Sequence, residues 1–282
     1  MTDVATVQPA AGLAEHMLEH DGFSTAYLEH GTGSPLLLVH GSGPGVSGRA
    51  NWQATMAGPL AERFAMVAPD VMGFGGTRTP AGTALSHESR LRHLVAFLDA
   101  RGLERVDVVG NSMGGALTLA LAARHPERVR RMVLMGSVGI AFPLTPGLDA
   151  VWGYTPSPEN MRELMRLFAY DQGLISDQLV SLRFEASRGA DVQERYAEAF
   201  AAPRQRHVDA MALTEDELRA IRVPTLLVHG AEDQVVPLEG TSLRLVRLLP
   251  DADLVVYGRC GHWTQIERAA DFQRDVAAFL SR

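Results

Sequence analysis

A serine flanked by glycines lies in the middle of the chain, where a short apolar run gives way to a stretch of small residues. The pattern Gly110–Gly114 follows Val106–Val109 and precedes a stretch of helical character that begins at Gly115. Glycines allow a turn so tight that a Cβ would clash, and such a strand–turn–helix holds the serine hydroxyl exposed in a strained conformation. G-x-S-x-G also occurs by chance in glycine-rich chains. Ser112 is therefore a candidate nucleophile that needs partners.

Two later apolar runs each lead into a residue that could activate this serine. Thr225–Val228 precedes Asp233, and Leu254–Tyr257 precedes His262. A serine hydroxyl is a poor nucleophile until an imidazole takes its proton, and that imidazole needs a carboxylate to fix its tautomer and stabilise its charged form. The chain order serine, acid, histidine is that of the α/β-hydrolase fold. We predict that Asp233 is the acid and His262 the base.

Other residues beside these runs offer alternatives. Glu232 is the rival acid, but the acid of this motif set is followed by an apolar-Pro step, and Val235-Val236-Pro237 provides that step after Asp233. His40 and His229 end apolar runs just before glycine, a position that favours hydrogen bonding to the neighbouring turn over catalysis.

A glycine-rich loop, His40–Gly45, follows the apolar run Leu36–Val39. At this place the fold provides the second backbone donor of its oxyanion hole, so we expect the N–H groups of Ser42 and Met113 to form the pair. An ordinary tight turn is the alternative. A phosphate-binding loop fits poorly, because no lysine follows at the required spacing.

Composition limits the possible partners and the number of domains. The chain has 282 residues, of which 46% are hydrophobic, so it can bury one large core. Its formal charge is −7, with 26 basic and 33 acidic side chains and no basic cluster, which argues against nucleic acid and anionic membrane as partners. The single cysteine, Cys260, excludes an internal disulfide framework and suits a reducing compartment.

Targeting and metal-binding signals are missing from the sequence. No apolar run has the length of a membrane span, and residues 1–9 lack the charged and apolar regions of a signal peptide. There is no H-E-x-x-H and no pair of cysteines. We therefore expect a cytoplasmic protein that binds neither membrane nor metal.

Apolar runs alternate with amphipathic or alanine-rich stretches, which indicates a mostly parallel sheet covered by helices on both faces. The pattern predicts strands at Ser24–Glu29, Leu36–Val39, Ala65–Ala68, Val106–Val109, Met132–Met135, Thr225–Val228 and Leu254–Tyr257. It predicts helices at Trp52–Arg63, Ser86–Arg101, Met113–Arg124, Leu238–Leu248 and Ala269–Leu280.

This alternation stops after Ser137. Residues 139–211 have a helical pattern rich in Met, Phe, Tyr, Arg and Pro and contain no strand candidate. An insertion after the sixth strand would lie over the carboxyl ends of the strands, where the triad is expected. We predict a core domain of residues 1–138 and 212–282 and a helical lid of residues 139–211. The alternative is a second independent domain, which a helical stretch without its own clear core does not favour.

The chain also resembles a particular family, the meta-cleavage product hydrolases, which hydrolyse a carbon–carbon bond in the ring-fission products of catechols. The resemblance covers nearly the whole chain and is carried by Leu38–Gly45, Asn51–Trp52, Gly110–Gly115, Arg130–Ser137 and Cys260–Trp263. Gly147–Tyr154 and Ala202–Arg206 are most similar to the branch that acts on 2-hydroxymuconic semialdehyde and its 6-alkyl analogues. Ser42 stands where other branches have glycine, which leaves a backbone donor intact.

The resemblance implies an eight-stranded α/β-hydrolase fold, a small-molecule dienoate substrate, no cofactor, and a homodimer or higher homo-oligomer. It also implies that the carboxylate and enol end of the substrate contacts Asn51, Asn111, Arg188 and Trp263. A planar arginine fork suits a carboxylate. Asn51 could instead cap a helix beginning at Trp52, Arg188 could pair with Glu185, and Trp263 could belong to the core.

Four apolar side chains are candidates for the wall around the substituent at C6 of the substrate. Val138 and Val236 follow strands whose loops face the triad, and Phe168 and Val208 belong to the predicted lid. β-Branched valines make a stiff wall, so we expect small groups to be accepted and phenyl to be poor.

Two other functions fit the same motifs. A carboxylesterase of this fold would use the identical triad on esters, and a ligand-binding protein could keep the triad with little turnover. The set of dienoate contacts disfavours the first, and the intact triad with both oxyanion donors disfavours the second. Dehalogenases and epoxide hydrolases of this fold have an aspartate at the elbow, so Ser112 argues against them.

Overall fold

Eight strands form a single sheet in the computed structural model, which describes residues 12–282. They are β1 (Ala14–His20), β2 (Phe23–His30), β3 (Ser34–Val39), β4 (Phe64–Pro69), β5 (Val106–Asn111), β6 (Val129–Met135), β7 (Thr225–Gly230) and β8 (Ala252–Tyr257). Their order across the sheet is β1-β2-β4-β3-β5-β6-β7-β8. β2 is antiparallel to β1 and β4, and all other neighbouring strands are parallel.

All seven strands predicted from apolar runs are confirmed, each within a slightly longer observed strand. They are recognisable because strands covered on both faces are apolar throughout, and β5 and β7 are buried at every position. The first strand, β1, was not predicted. It lies at the sheet edge with most of its residues exposed or half-exposed, so its sequence carries no apolar run.

Helices cover the sheet on both faces. Within residues 12–282 they are α1 (Gly48–Met56), α2 (His87–Ala100), α3 (Met113–Arg124), α4 (Pro146–Trp152), α5 (Pro158–Phe168), α6 (Asp177–Ser187), α7 (Ala190–Ala199), α8 (Gln205–Met211), α9 (Glu215–Ala220), α10 (Ser242–Leu248), α11 (Thr264–Glu267) and α12 (Ala269–Leu280). Alternate residues of β3 enter different cores: Leu37 packs in a cluster with α2 and α3, and Leu38 packs in a cluster with α1 and α12.

The predicted helices differ from the observed ones mainly at their ends. α3 and α12 have the predicted bounds, and α2 begins after Ser86, whose side chain caps it. The helix predicted over Trp52–Arg63 is two elements, because Gly58 and Pro59 interrupt it: α1 ends at Met56, and a 3₁₀ turn covers Pro59–Glu62. The helix predicted from Leu238 begins only at Ser242.

Six helices, α4 to α9, lie between β6 and β7. The first five, α4 to α8, belong to residues 139–211, which contain no strand. We call this stretch the helical segment. The parallel strands β3, β5, β6, β7 and β8 all end at the same edge of the sheet, so the loops after them and the helical segment after β6 meet there. The eight-stranded α/β-hydrolase fold is thus confirmed. No helix in residues 12–282 has the length and apolar character needed to cross a bilayer.

Candidate active site

Ser112 occupies a strained turn between β5 and α3. Its φ of 54° and ψ of −113° lie in a region that a residue with a side chain rarely adopts. Its N–H donates to Met135 O at 2.9 Å, and its carbonyl accepts from the N–H of Val138 at 3.3 Å. These bonds to β6 and the loop after it hold the turn in place, with Ser112 facing a pocket.

The glycines of this turn are needed for steric reasons. A Cβ on Gly110 would lie 2.4 Å from the carbonyl oxygen of Gly114, and a Cβ on Gly114 would lie 2.2 Å from Val39 O. Real Cβ atoms do not approach backbone oxygens this closely, so both positions require glycine. The sequence-based explanation of the G-x-S-x-G pattern therefore agrees with the geometry.

The loops after β7 and β8 bring Asp233 and His262 together. His262 Nδ1 lies 2.6 Å from Asp233 Oδ2, and both side chains are almost fully buried. This bond places the proton on Nδ1 and leaves Nε2 to act as a base. His262 lines the same pocket as Ser112. The helical segment stabilises the loop that carries His262, because the N–H of His262 donates to Phe168 O at 2.7 Å.

Several donors stabilise the charged form of Asp233. Its Oδ1 accepts the N–H groups of Val235 and Val236 at 2.8 and 2.9 Å. Burial alone would raise the pKa of this carboxyl, but the charge of His262 and the hydrogen bonds from His229 and His262 together hold the pKa well below its usual range. Asp233 is thus a permanent anion beside the imidazole at neutral pH.

The alternatives weighed for these roles have other environments, although His229 Nε2 lies 3.4 Å from Asp233 Oδ2. Glu232 is exposed to solvent. His229 bonds Ser242 Oγ through Nδ1 and donates from Nε2 to Val236 O, so it is held by the turn after β7. His40 bonds Gly41 O and accepts the N–H of Val71. The expectation that both histidines bond to neighbouring backbone and side chains is confirmed.

The loop after β3 lies against the elbow. A Cβ on Gly41 would be 3.2 Å from the Cβ of Ser112, so the loop backbone passes directly beside the serine. Ser42 lines the pocket. Met113 is the first residue of α3, where the helix offers no carbonyl to its N–H. Both predicted oxyanion donors therefore belong to backbone segments next to Ser112.

The pocket at this edge of the sheet is enclosed by core loops and by the helical segment. The core contributes Gly41, Ser42, Gly43, Pro44, Val46, Asn51, Asn111, Ser112, Val235, His262 and Trp263. The helical segment contributes Leu148, Val151, Met161, Met165, Phe168 and Arg183. The cavity measures about 50 Å³, far below the roughly 300 Å³ at which ordinary ligand pockets begin. A ligand of ordinary size therefore needs more room than this cavity offers.

Two asparagines present amide groups to this pocket. Asn111 is 4% exposed, and its Nδ2 donates to Met135 O at 3.3 Å. Asn51 accepts the N–H of Gly41 through Oδ1 at 3.4 Å, and its buried Nδ2 has no hydrogen-bond partner within residues 12–282. Asn51 is not a helix cap, because Ser47 caps α1. A buried donor without a protein partner is suited to a ligand.

Trp263 and Arg183 form a second part of the lining. The Trp263 ring stacks on Phe168 with centroids 5.2 Å apart and planes inclined by 11°. The guanidinium of Arg183 lies 5.8 Å from the centre of the Trp263 ring and donates to Ala50 O at 2.9 Å. Burial lowers the pKa of Arg183, and no carboxylate in the described part of the chain pairs with it. This unneutralised cation is the strongest anion-binding feature of the pocket.

The expectation that Arg188 binds the substrate carboxylate disagrees with the structure. Arg188 is the residue after α6, its side chain is 60% exposed, and its Nε pairs with Glu185 at 2.6 Å. This ion pair with Glu185 is the alternative that the sequence analysis gave for Arg188. Arg183 is the arginine that lines the pocket, and the sequence analysis missed it.

The helical geometry of α6 explains which arginine faces the pocket. Val180 and Ser187, the two buried residues of α6, lie three residues before and four residues after Arg183. Residues three and four apart share one face of a helix, so Arg183 lies on the buried face, whereas Arg188 falls outside the helix.

Three of the four side chains expected around C6 also lie outside the lining. Phe168 lines the pocket, but Val138, Val208 and Val236 are fully buried in the core cluster behind it. Val235, the residue before Val236, lines the pocket instead. The N–H groups of both valines donate to Asp233. Leu148 and Val151 of α4 complete this apolar part and were not predicted.

Residues 12–282 contain no group of three or more His, Cys, Asp or Glu side chains arranged to hold a metal ion. The site is instead made of a serine, a buried histidine–carboxylate pair, backbone donors and an anion-binding face.

Comparison with known proteins agrees with this geometry. Residues 36–274 match the model of the alpha/beta hydrolase family. The chain is 53% identical to a 2-hydroxy-6-oxo-2,4-heptadienoate hydrolase of Pseudomonas putida, covering 92% of this chain and 94% of that protein. It is 50% identical to a 2-hydroxymuconate semialdehyde hydrolase of a Pseudomonas species, covering 92% and 91%. A crystal structure of the meta-cleavage product hydrolase CumD of Pseudomonas fluorescens IP01, complexed with acetates, superposes with a TM-score of 0.92 at 47% identity, covering 94% and 97%.

The fold and the elbow site define an α/β hydrolase that uses serine. Within that class, the chain belongs to the meta-cleavage product hydrolases, which are carbon–carbon bond hydrolases.

Proposed function

We propose that this enzyme hydrolyses the C5–C6 bond of 2-hydroxy-6-oxohexa-2,4-dienoates, the ring-fission products of catechols, during the breakdown of aromatic compounds. The observation that carries the proposal is the position of Arg183. An arginine without an acidic partner faces the same small pocket as Ser112 and His262, which suits a substrate with a carboxylate at one end and a reactive carbonyl at the other.

The dienoate end of the substrate binds at Arg183, Asn51 and Trp263. The guanidinium neutralises the carboxylate, and the free Nδ2 group of Asn51 donates a hydrogen bond to it or to the enol oxygen. The flat Trp263 ring packs along the conjugated chain. Asn111, beside Ser112, completes the polar lining. A neutral ester needs none of the charge complementarity that Arg183 supplies.

The reaction begins with a change of tautomer. The proton of the 2-hydroxyl group leaves and C5 gains a proton, which gives a 2,6-dioxo compound with its double bond between C3 and C4. His262 is the base near enough to the serine end of the substrate to assist. After this step, electrons released by breaking C5–C6 can flow to the oxygen on C2, so C5 becomes an acceptable leaving group.

Carbon–carbon cleavage then follows the course of acyl transfer. His262 takes the proton of Ser112, and Oγ attacks the C6 carbonyl while Asp233 stabilises the imidazolium. The N–H groups of Ser42 and Met113 bind the oxyanion. Collapse of this intermediate breaks C5–C6, releases 2-hydroxypenta-2,4-dienoate after protonation, and leaves an acyl group on Ser112. Water, activated by His262, hydrolyses the acyl-enzyme.

The helical segment acts as the lid of this site. Its helices α4, α5 and α6 supply six of the lining residues, and the cavity they close is about 50 Å³. Displacement of these helices admits the substrate, and their return excludes water during cleavage. The boundaries at residues 139 and 211 stay a prediction, as do the homodimer and the cytoplasmic location.

Leu148, Val151 and Val235 form the wall next to the C6 substituent, because they are apolar and Val235 lies two residues after Asp233. A small cavity with aliphatic walls favours hydrogen, methyl or small alkyl at C6. The relative that is 53% identical is named for a substrate with methyl at this position.

A direct assay tests the proposal against the esterase alternative. The purified protein is mixed separately with 2-hydroxymuconic semialdehyde, its 6-methyl, 6-isopropyl and 6-phenyl analogues, and a p-nitrophenyl ester. We expect rapid loss of dienolate absorbance with the small substituents and slow loss with phenyl. Rapid ester hydrolysis without any dienoate cleavage would show that the enzyme is a carboxylesterase.

A further inference from the structure

The loop that carries Ser42 has little structure of its own. Residues 40–47 form neither helix nor strand, and one backbone hydrogen bond, from the N–H of Val46 to Gly43 O, joins two residues of this loop. A loop of this kind has many accessible conformations unless other elements hold it. Since oxyanion stabilisation depends on donors fixed to within fractions of an ångström, an external support is needed.

The helical segment provides that support through two side chains. Trp152, in α4, donates from its indole Nε1 to Ser42 Oγ at 2.9 Å. Tyr196, in α7, donates from its hydroxyl to Ser42 O at 2.9 Å, sharing its proton with Val151 O at the same distance. Both the side chain and the carbonyl of one loop residue are therefore bonded to the segment above it.

These donors are themselves rigidly held. Trp152 is 2% exposed, and its ring lies parallel to that of Phe200 with centroids 4.9 Å apart and planes inclined by 9°. Tyr196 packs against the same Phe200 ring at 5.2 Å. The buried guanidinium of Arg90 in α2 lies 5.6 Å from the centre of the Phe200 ring. The bonds to Ser42 are anchored in a buried aromatic cluster that joins the helical segment to the core.

Trp152 and Tyr196 are not part of the pocket lining. We propose that both are positioning residues for the oxyanion hole: the helical segment fixes the Ser42 loop through them, and the Ser42 hydroxyl serves as the acceptor that makes this connection. The proposal rests on the proposed oxyanion role of the Ser42 N–H. It links the position of the lid to catalytic competence, since a displaced α4 would release the loop.

The test uses variants that remove single hydrogen bonds. Trp152→Phe keeps an aromatic ring against Phe200 but lacks the N–H, and Tyr196→Phe lacks only the hydroxyl. We expect each to lower kcat roughly tenfold, with KM changed less than twofold, because mispositioned donors weaken only transition-state binding. The loss should be similar on a small dienoate and on p-nitrophenyl acetate, since both reactions form an oxyanion.

Two further measurements distinguish a change in the position of the oxyanion donors from a general loss of rigidity in the protein. In stopped-flow experiments the ketonisation phase should keep its rate while the cleavage phase slows. In the Ser42→Ala background, Trp152→Phe should cause no further loss, because its acceptor is already gone. Tyr154→Phe is the matched control: it removes a hydroxyl of the same segment that bonds Ser187 Oγ at 3.1 Å and makes no hydrogen bond to residues 40–47. Its kcat should equal that of the wild type.

Three results would overturn the proposal. They are an unchanged kcat for Trp152→Phe, an equal loss in the wild-type and Ser42→Ala backgrounds, and a change confined to KM or to one of the two substrates. The ester assay does not depend on the dienoate being the natural substrate. A wild-type enzyme that cleaves no dienoate would therefore contradict the proposed function while leaving this proposal open to confirmation by the ester data.

Discussion

His262 Nδ1 lies 2.6 Å from Asp233 Oδ2, and the side chains of both residues are at most 4% exposed. Because these side chains are shielded from solvent, the electrostatic interaction between the carboxylate and a developing imidazolium is strong. Two backbone N–H groups and His229 also stabilise the Asp233 charge. The pair is thus ready to accept the proton of Ser112 and to stabilise the charge that results.

The first prediction concerns this triad. Ser112→Ala and His262→Ala should each lower kcat on the order of 10⁴–10⁶, because nucleophile and base act as a unit, and Asp233→Asn should be less severe. Substrate binding should persist, which equilibrium titration with Ser112→Ala can measure. More than a tenth of wild-type turnover in Ser112→Ala would contradict the covalent mechanism.

A second prediction separates two arginines that lie five residues apart. Arg183→Ala should cost about 2–4 kcal/mol in kcat/KM toward a dienoate, the range for breaking a desolvated charged hydrogen bond, and almost nothing toward a neutral ester. Arg188→Ala is the matched control, since it removes the same charge from an exposed ion pair and should have little effect on either substrate. The idea fails if Arg183→Ala weakens both reactions equally, or if Arg188→Ala causes the larger loss on the dienoate.

The contrast between these arginines illustrates what the sequence can and cannot predict. Ser112, Asp233 and His262 were identifiable as candidates because each follows an apolar run that forms a strand, and parallel strands bring their ends together. Arg183 and Arg188 lie in a stretch without strands, where the choice depends on which face of α6 packs against the core. That orientation is set by tertiary packing, and neighbouring residues on a helix point about 100° apart.

The same reasoning explains the other errors. β1 carries Glu15, Met17 and Glu19 on an exposed edge and has no apolar signature. Leu148 and Val151 of α4 line the pocket, but no local pattern reveals the position of α4 over the sheet, so the prediction fell on Val138, which is buried in the core cluster. Features set by strand periodicity were predictable, and those set by the packing of the helical segment were not.

A third prediction concerns the C6 substituent. Leu148 lines the pocket, so Leu148→Ala should enlarge the pocket by the volume of about three carbon atoms. The ratio of kcat/KM for the phenyl substrate over the methyl substrate should then rise roughly 10- to 200-fold. Val138→Ala, which acts only by repacking behind the lining, should raise this ratio less. If the ratio stays constant in Leu148→Ala, or if the wild type already prefers phenyl, the substituent lies elsewhere.

The fourth prediction tests the steric requirement of the elbow. Gly114→Ala would place a Cβ 2.2 Å from Val39 O, so we expect a loss of about 1–3 kcal/mol or more in the free energy of unfolding, together with loss of activity. Gly258→Ala is the control, because a Cβ there meets nothing within 4 Å, and its stability should change by less than about 0.5 kcal/mol. Urea denaturation measures both. A Gly114→Ala protein as stable as the wild type would show that the elbow can relax.

The last prediction is an acid-induced loss of stability through a buried histidine. His93 bonds the hydroxyl of Thr25 through Nε2 and accepts the N–H of Met72 at Nδ1. Burial, together with the nearby His20 and His40, lowers the pKa of His93 to about 3. In the unfolded chain a histidine has a pKa of about 6.5, so below that pH the unfolded state binds the extra proton and the folded state does not.

Stability should therefore be complete above about pH 6.5 and fall as the pH decreases toward 3, with His40 adding to the effect because burial lowers its pKa to about 4. His93→Gln, which keeps hydrogen-bonding capacity without a titrating group, should be less stable than the wild type at pH 7 but lose less stability between pH 7 and pH 5. The urea midpoints of both proteins at the two pH values measure this difference. Parallel losses in the two proteins would show that other groups cause the acid sensitivity, because removing this histidine would then have left the slope of stability with pH unchanged.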